Sequence, residues 1–77
     1  MKEKLLGILD DIRPDIDFTL EQKLMEDGIL DSFDILSIVS AIEESFAIEV
    51  GEDDLETVNF NSVDAMIRLI VRLKESK

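Results

Sequence analysis

The chain of 77 residues contains no cysteine, histidine, tyrosine or tryptophan, and it has only one proline and three glycines. Without cysteine it can form neither disulfides nor thiolate metal sites. Without histidine it lacks the side chain that most often activates a serine nucleophile. The scarcity of glycine and proline, together with an apolar fraction of 45%, argues against disorder and favours helices. A chain of this length predicts one domain, spanning residues 1–77.

Long apolar runs are also missing. No run approaches the ~18 residues that a membrane-spanning helix needs. Charged residues interrupt the first thirteen residues too early for the apolar region of a signal peptide. We therefore expect a soluble, cytoplasmic protein that does not insert into membranes.

Positive charge is scarce, because 8 Lys and Arg residues against 19 Asp and Glu residues give a formal net charge of −11. Between Leu24 and Ile67 there is no Lys or Arg at all. A nucleic-acid-binding protein needs cations to displace counterions from phosphates, so we expect no nucleic-acid partner. The acidic stretch is either a solvated surface that keeps a small protein soluble or a face that attracts basic partner proteins.

The spacing of apolar residues predicts three longer helices. The first covers Lys2 to about Arg13 and is stopped by Pro14, because the residue before a proline avoids the α region. The strongest signal runs from about Ser32 to Phe46. A last helix follows a cap at Asn61 or Ser62.

The segments between these helices are less regular. Residues 15–31 form a long loop rich in apolar side chains, which we expect to pack onto the core, with a turn at Gly28. Residues 52–56 are predicted to form one short helical turn. The expected architecture is therefore an all-α, four-helix bundle with three longer helices and one short third helix. The second helix should bury one apolar face, formed by Ile35, Ile38, Val39, Ile42 and Phe46.

Ser32 has three possible roles at the start of the second helix. As a helix cap it is inferior to Asp31, which places Asp34 three residues on in a reciprocal capping pattern and leaves Ser32 at the first helical position. As a nucleophile it lacks a base, and the flanking carboxylates oppose the development of negative charge, so we expect no enzyme activity. As an attachment site it suits a phosphate ester, which would meet the free N–H groups of the helix start.

The motif Asp31-Ser32-Phe33-Asp34, heading an acidic amphipathic helix that ends in "AIEESFAIEV", resembles the acyl carrier protein family. The resemblance covers essentially the whole chain and implies the family's four-helix fold. It further implies that Ser32 carries a 4′-phosphopantetheine arm, attached covalently from coenzyme A by a phosphopantetheinyl transferase. The thiol of that arm would hold an acyl group as a thioester.

The resemblance also implies a recognition surface on the helix that follows the serine. Its partners would be the transferase, an acyl- or aminoacyl-loading ligase and acyl-transferring enzymes with basic docking surfaces, and the chain itself is expected to be a monomer. The residues carried over by position are Asp31, Phe33, Asp34, Leu36, Glu43 and Glu44.

Four functions are compared on this basis. The main expectation is an acyl carrier in fatty-acid or specialised lipid biosynthesis. "DGILDSF" departs from the Gly-Ala-Asp-Ser-Leu of fatty-acid carriers and is more similar to D-alanyl carrier proteins of cell-wall teichoic acid modification, and Ser40 stands where fatty-acid carriers have a larger apolar residue. The first alternative is therefore a D-alanyl or other aminoacyl carrier. Two further alternatives are an unmodified acidic helical adaptor and a calcium-binding module.

Overall fold

A computed structural model of the protein describes residues 1–75. Within them the chain forms α1 (Lys2–Ile12), α2 (Ser32–Phe46), α3 (Thr57–Phe60) and α4 (Val63–Glu75), with no strand. The prediction of an all-α bundle with three longer helices and one short helix is confirmed.

The short elements before α4 differ from the prediction in position. Residues Glu52–Asp54 form only a 3₁₀ turn, and the one-turn helix α3 follows it at Thr57. Extended backbone at Glu56 separates the two (φ −104, ψ 147). Like charges at Glu52 and Glu56 stand four residues apart and would repel on one continuous helix, which disfavours the single turn predicted over 52–56.

The ends of the longer helices follow local rules. Arg13 leaves the helical region (φ −135, ψ 80) directly before Pro14, while its N–H still donates to the Leu9 carbonyl at 2.8 Å. Ala47 ends α2 in the left-handed conformation (φ 55, ψ 50). At the start of α4, Ser62 Oγ accepts the N–H of Ala65 at 3.1 Å, so of the two predicted caps Ser62 is the one used.

The core lies between α1, α2 and α4. The predicted apolar face of α2 is confirmed, with Val39 only half-buried. α4 packs against both α1 and α3. Its buried residues are Val63, Ala65, Met66, Leu69 and Ile70, whereas Ile67 and Leu73 are half-buried.

The long loop 13–31 packs onto this core, as predicted. Phe18, Leu24 and Leu30 are buried, whereas Leu20 is 74% exposed. Gly28 takes a positive φ of 71° at the predicted turn, a value that glycine adopts without strain. The loop is fastened to the start of α4 by Asn61, whose Oδ1 accepts the backbone N–H groups of residues 25 and 26 at 3.0 and 3.1 Å.

None of the helices in residues 1–75 is both long enough and apolar enough to cross a membrane.

Candidate functional site at the start of α2

Two aspartates cap the N-terminus of α2 reciprocally. Asp31 Oδ1 accepts the N–H of Asp34 at 2.9 Å, and Asp34 Oδ2 accepts the N–H of Asp31 at 3.2 Å. The predicted capping pattern is confirmed. Ser32 consequently occupies the first helical position, between the two carboxylates that fix the helix start.

Ser32 is exposed, and its hydroxyl forms no hydrogen bond with any group in residues 1–75. The backbone N–H groups of Ser32 and Phe33 likewise find no acceptor in this part of the chain, as expected for the first turn of a helix. A phosphodiester on Ser32 Oγ would place acceptor oxygens beside these donors. The residues present therefore fit a phosphate-linked group at this serine.

Arg13 joins the end of α1 to this site. Its Nη1 donates to Asp34 Oδ2 at 2.5 Å, while Nε and Nη2 donate to the two carboxylate oxygens of Asp15 at 3.0 and 2.9 Å. Hydrogen bonding to Asp15, with a smaller contribution from Asp34 and against the opposing effect of burial, raises the pKa of Arg13 above its ordinary value. The same hydrogen bond lowers the pKa of Asp15.

The sequence does not predict this role of Arg13, because its position indicates only the end of a helix. The available signal was weak: Arg13 is the single cation between Lys4 and Lys23, in a segment with four aspartates. Such an isolated cation among acids indicates a pairing, but not the partner.

The structure places the predicted recognition residues in different environments. Phe33 and Leu36 are 78% and 62% exposed, and they share one side of α2 because they are three residues apart. Asp31 and Glu44 are also exposed. Together these four residues are named the docking face.

The two remaining carboxylates are already engaged within the protein. Asp34 is only 9% exposed, and its carboxylate faces Arg13 and the N–H of Asp31 rather than a partner. As the third residue of the capping pattern, it must point back toward the helix start. Glu43 is half-buried, and its Oε2 accepts the N–H of Val50 at 2.9 Å.

Comparison with known proteins gives a consistent group of relatives. The chain is 28% identical over 75 residues, 95% of either chain, to the D-alanyl carrier protein of Bacillus mycoides (strain KBAB4). The D-alanyl carrier proteins of Bacillus cereus (strain B4264) and Bacillus anthracis (strain CDC 684 / NRRL 3495) match with the same identity and coverage. No family model and no solved structure matches.

The helical bundle has the element order expected of a carrier protein, with an exposed serine at the start of α2. The relatives share that family and match the chain along nearly its whole length. The fold, the exposed serine and the similarity to D-alanyl carrier proteins together support a carrier protein of the acyl carrier protein-like family.

Proposed function

We propose that the protein is an aminoacyl carrier that holds D-alanine as a thioester on a 4′-phosphopantetheine arm attached to Ser32. The observation that carries the proposal is the exposed, unpartnered hydroxyl of Ser32 at the first position of α2. Its relatives are D-alanyl carrier proteins, which favours this cargo over the fatty acyl groups of the main sequence-based expectation. The motif "DGILDSF" had already indicated that alternative.

The attachment reaction needs only a hydroxyl from this chain. Ser32 Oγ attacks the phosphorus of coenzyme A that bears pantetheine, the bond from this phosphorus to the bridging pyrophosphate oxygen breaks, and adenosine 3′,5′-bisphosphate leaves. The proton of Oγ goes to a base of the transferase, because Asp31 and Asp34 are committed to the helix cap. The N–H groups of Ser32 and Phe33 can donate to the new phosphodiester.

The attached arm supplies a thiol, which this chain cannot provide from its own residues because it has no cysteine. The adenylating ligase would couple D-alanine to ATP with release of pyrophosphate. Transfer of the alanyl group to the thiol would then form the thioester with release of AMP. The chain itself presents the arm and is recognised, with no catalytic residue of its own.

The cargo is also consistent with the surface beside α2. An open groove at the C-terminal half of this helix is lined by three glutamates, Glu43, Glu44 and Glu49, and by apolar residues that include Ile48 and Val50. Its openness gives a long alkyl chain little enclosure, whereas D-alanine is small and its thioester keeps a cationic ammonium group. This observation supports an aminoacyl cargo and assigns no binding site to it.

The docking face defines the chemistry of the partners. Phe33 and Leu36 require an apolar pocket, and Asp31 and Glu44 favour Lys and Arg around it. A phosphopantetheinyl transferase and a D-alanine-activating ligase are the partners that the proposal requires. Because coenzyme A and ATP are the co-reactants, we propose that loading takes place in the cytoplasm.

Intact-mass spectrometry tests the attachment. The unmodified protein is incubated with coenzyme A, magnesium and a broad-specificity phosphopantetheinyl transferase, beside a Ser32→Ala control. We expect one phosphopantetheine on the parent protein and none on the variant. No gain on folded parent protein would favour the unmodified adaptor, and a gain on the Ser32→Ala variant would place the attachment elsewhere.

A second experiment tests the cargo. The modified protein is offered D-alanine with ATP and a D-alanine-adenylating ligase, and separately a long-chain fatty acid with ATP and an acyl-loading ligase. We expect a hydroxylamine-sensitive mass gain with D-alanine at the higher kcat/KM. Preferential loading of the fatty acid would contradict the proposed cargo and favour a fatty-acid carrier function instead.

A further inference from the structure

We propose that Arg13 is a positioning residue for the modification of Ser32 and that it acts through Asp34. This inference rests on the proposed function, since it concerns the same serine. Arg13 donates no hydrogen bond to Ser32 or to the docking face, whereas it does bind Asp34 of the helix cap.

Four hydrogen bonds hold the guanidinium of Arg13 in one orientation. Asp15 binds it through both carboxylate oxygens, and the Ile29 carbonyl accepts from Nη1 at 3.4 Å. Nη1 also donates a hydrogen bond to Asp34 Oδ2. Arg13 therefore links three places, namely the end of α1, the end of the long loop and the start of α2.

Asp34 depends on this link because its carboxylate is nearly buried. A buried carboxylate without a cation is costly, and the simplest relief is rotation of the side chain into solvent. Rotation of Asp34 would remove the acceptor of the Asp31 N–H and leave one half of the capping box. Ser32, which lies between the two aspartates, would then sit in a fraying first turn.

A frayed helix start has a specific kinetic signature. A transferase that recognises Ser32 in the helical geometry binds only the fraction of molecules that hold this geometry, so the apparent affinity falls in proportion to that fraction. Once bound, the serine is in the productive geometry again. Loss of Arg13 should therefore raise KM for the carrier protein and leave kcat nearly unchanged.

The chain offers a matched control at the other end of the same two helices. Lys4 of α1 donates to the Ser45 carbonyl at 2.8 Å near the C-terminal end of α2 and lies 5.0 Å from the centre of the Phe46 ring. Ser45 lies thirteen residues from Ser32, about 20 Å along the helix. Lys4→Gln therefore removes one positive charge that contacts α2, as Arg13→Gln does, but far from the serine.

Initial rates of phosphopantetheine incorporation, measured against carrier concentration, give the test. For Arg13→Gln we expect KM to rise about tenfold with kcat within about twofold, for Arg13→Lys an intermediate rise, and for Lys4→Gln no change in KM. The double variant Arg13→Gln/Asp34→Asn should show no further loss beyond the larger single effect, because both changes remove one interaction. An unchanged KM for Arg13→Gln, an equal rise for Lys4→Gln or additive effects in the double variant would each overturn the inference.

Amide hydrogen exchange separates this inference from the proposed function, because it needs no transferase. In Arg13→Gln, or in Arg13→Lys if the former does not fold, exchange at the Asp31 N–H should be faster than in the parent and in Lys4→Gln, because this N–H loses its acceptor when Asp34 rotates. Unchanged exchange there would overturn the positioning role even if the parent is modified. Faster exchange with a parent that never accepts phosphopantetheine would support the link to the cap and reject the proposed function.

Discussion

At the scale of single residues, Ser32 and Ser62 have different roles at the starts of α2 and α4. Ser62 is buried, and its hydroxyl caps α4 by accepting the N–H of Ala65. Ser32 is exposed, and Asp31 performs the capping at its helix. The hydroxyl of Ser32 is thus free because Asp31 caps α2 instead.

We expect this difference to appear in stability. Ser62→Ala should lower the free energy of unfolding by about 1 kcal/mol, the usual cost of a lost N-cap. Ser32→Ala should change it by less than about 0.5 kcal/mol, as for most surface substitutions. Urea denaturation of the two unmodified variants measures both. An equal loss for the two serines would show that Ser32 contributes to a cap after all.

Phe33 gives a second contrast, this time with Phe46 on the same helix. Phe33 is 78% exposed and Phe46 is 7% exposed. Phe33→Ala should leave the free energy of unfolding within about 0.5 kcal/mol of the parent while raising KM for the transferase. Phe46→Ala should cost about 3–5 kcal/mol because it opens a cavity. A melting temperature lowered as far by Phe33→Ala as by Phe46→Ala would contradict an exposed docking role.

The residue-scale predictions from sequence succeeded where the interaction is local. Asp31 and Asp34 cap each other three residues apart, and that spacing is visible in the sequence. The pairing of Arg13 with Asp34 spans 21 positions and depends on how the loop brings the end of α1 to the start of α2. No pattern in the sequence encodes that approach, so the burial of Asp34 could not be foreseen.

At the scale of elements, α1, α2 and α4 were predictable because each repeats apolar residues at helical spacing for three turns or more. The 3₁₀ turn and α3 were not predictable in this way, because a single turn is too short to show a helical repeat of apolar residues and too short to be stable alone. Its geometry comes from tertiary contacts at Asp54, whose carbonyl accepts from Asn59 at 2.9 Å and whose carboxylate binds Arg72 at 3.3 Å.

The end of α2 and the turn before its start offer a pair of opposite substitutions. Ala47 and Gly28 both have positive φ values, 55° and 71°. Ala47→Gly should raise the free energy of unfolding by about 0.5–1 kcal/mol, since relief of the left-handed strain exceeds the added entropy of the unfolded chain. Gly28→Ala should lower it by about 1 kcal/mol, and by backbone strain alone, because nothing lies within 4 Å of the added carbon. Urea denaturation with both changes in the same direction would contradict the assigned backbone conformations.

At the scale of the whole molecule, all eight Lys and Arg residues lie in residues 2–23 and 68–77, whereas twelve of the nineteen acids lie between these two segments. Among residues 1–75, ion pairs join Lys2, Arg13 and Arg72 to four acids. Lys4 and Lys74 instead donate to the carbonyls of Ser45 and Phe46, where positive charge also complements the C-terminal end of the helix dipole. Most carboxylates of residues 1–75 therefore form no ion pair within this part of the chain, and they share a small surface.

Screening this repulsion should stabilise the fold. We expect the melting temperature in neutral buffer to rise between about 20 mM and 500 mM sodium chloride, because the Debye length falls below the spacing of surface charges. Salt also weakens the exposed ion pairs, but these contribute little. A control series in sodium sulfate would show how much more the melting temperature rises when the anion is also excluded from the protein surface and so strengthens hydrophobic burial. A melting temperature independent of sodium chloride would mean that the acids do not measurably strain the fold.

Acid should weaken the fold by protonating Asp15, whose carboxylate pairs with Arg13. Arg13 lowers the pKa of Asp15 in the folded state, so this aspartate contributes stability above its unfolded pKa of ~3.9 and loses that contribution as the pH falls through its lower folded value. The contribution of Asp15 to stability should therefore be constant from pH 7 to about 5 and fall below about 4. Asp15→Asn isolates this contribution: the difference in unfolding free energy between parent and variant should be constant from pH 7 to about 5 and shrink below about 4. A difference that stays constant through the acid range would mean that Asp15 titrates alike in the folded and unfolded chains, so that its pairing with Arg13 adds nothing to stability.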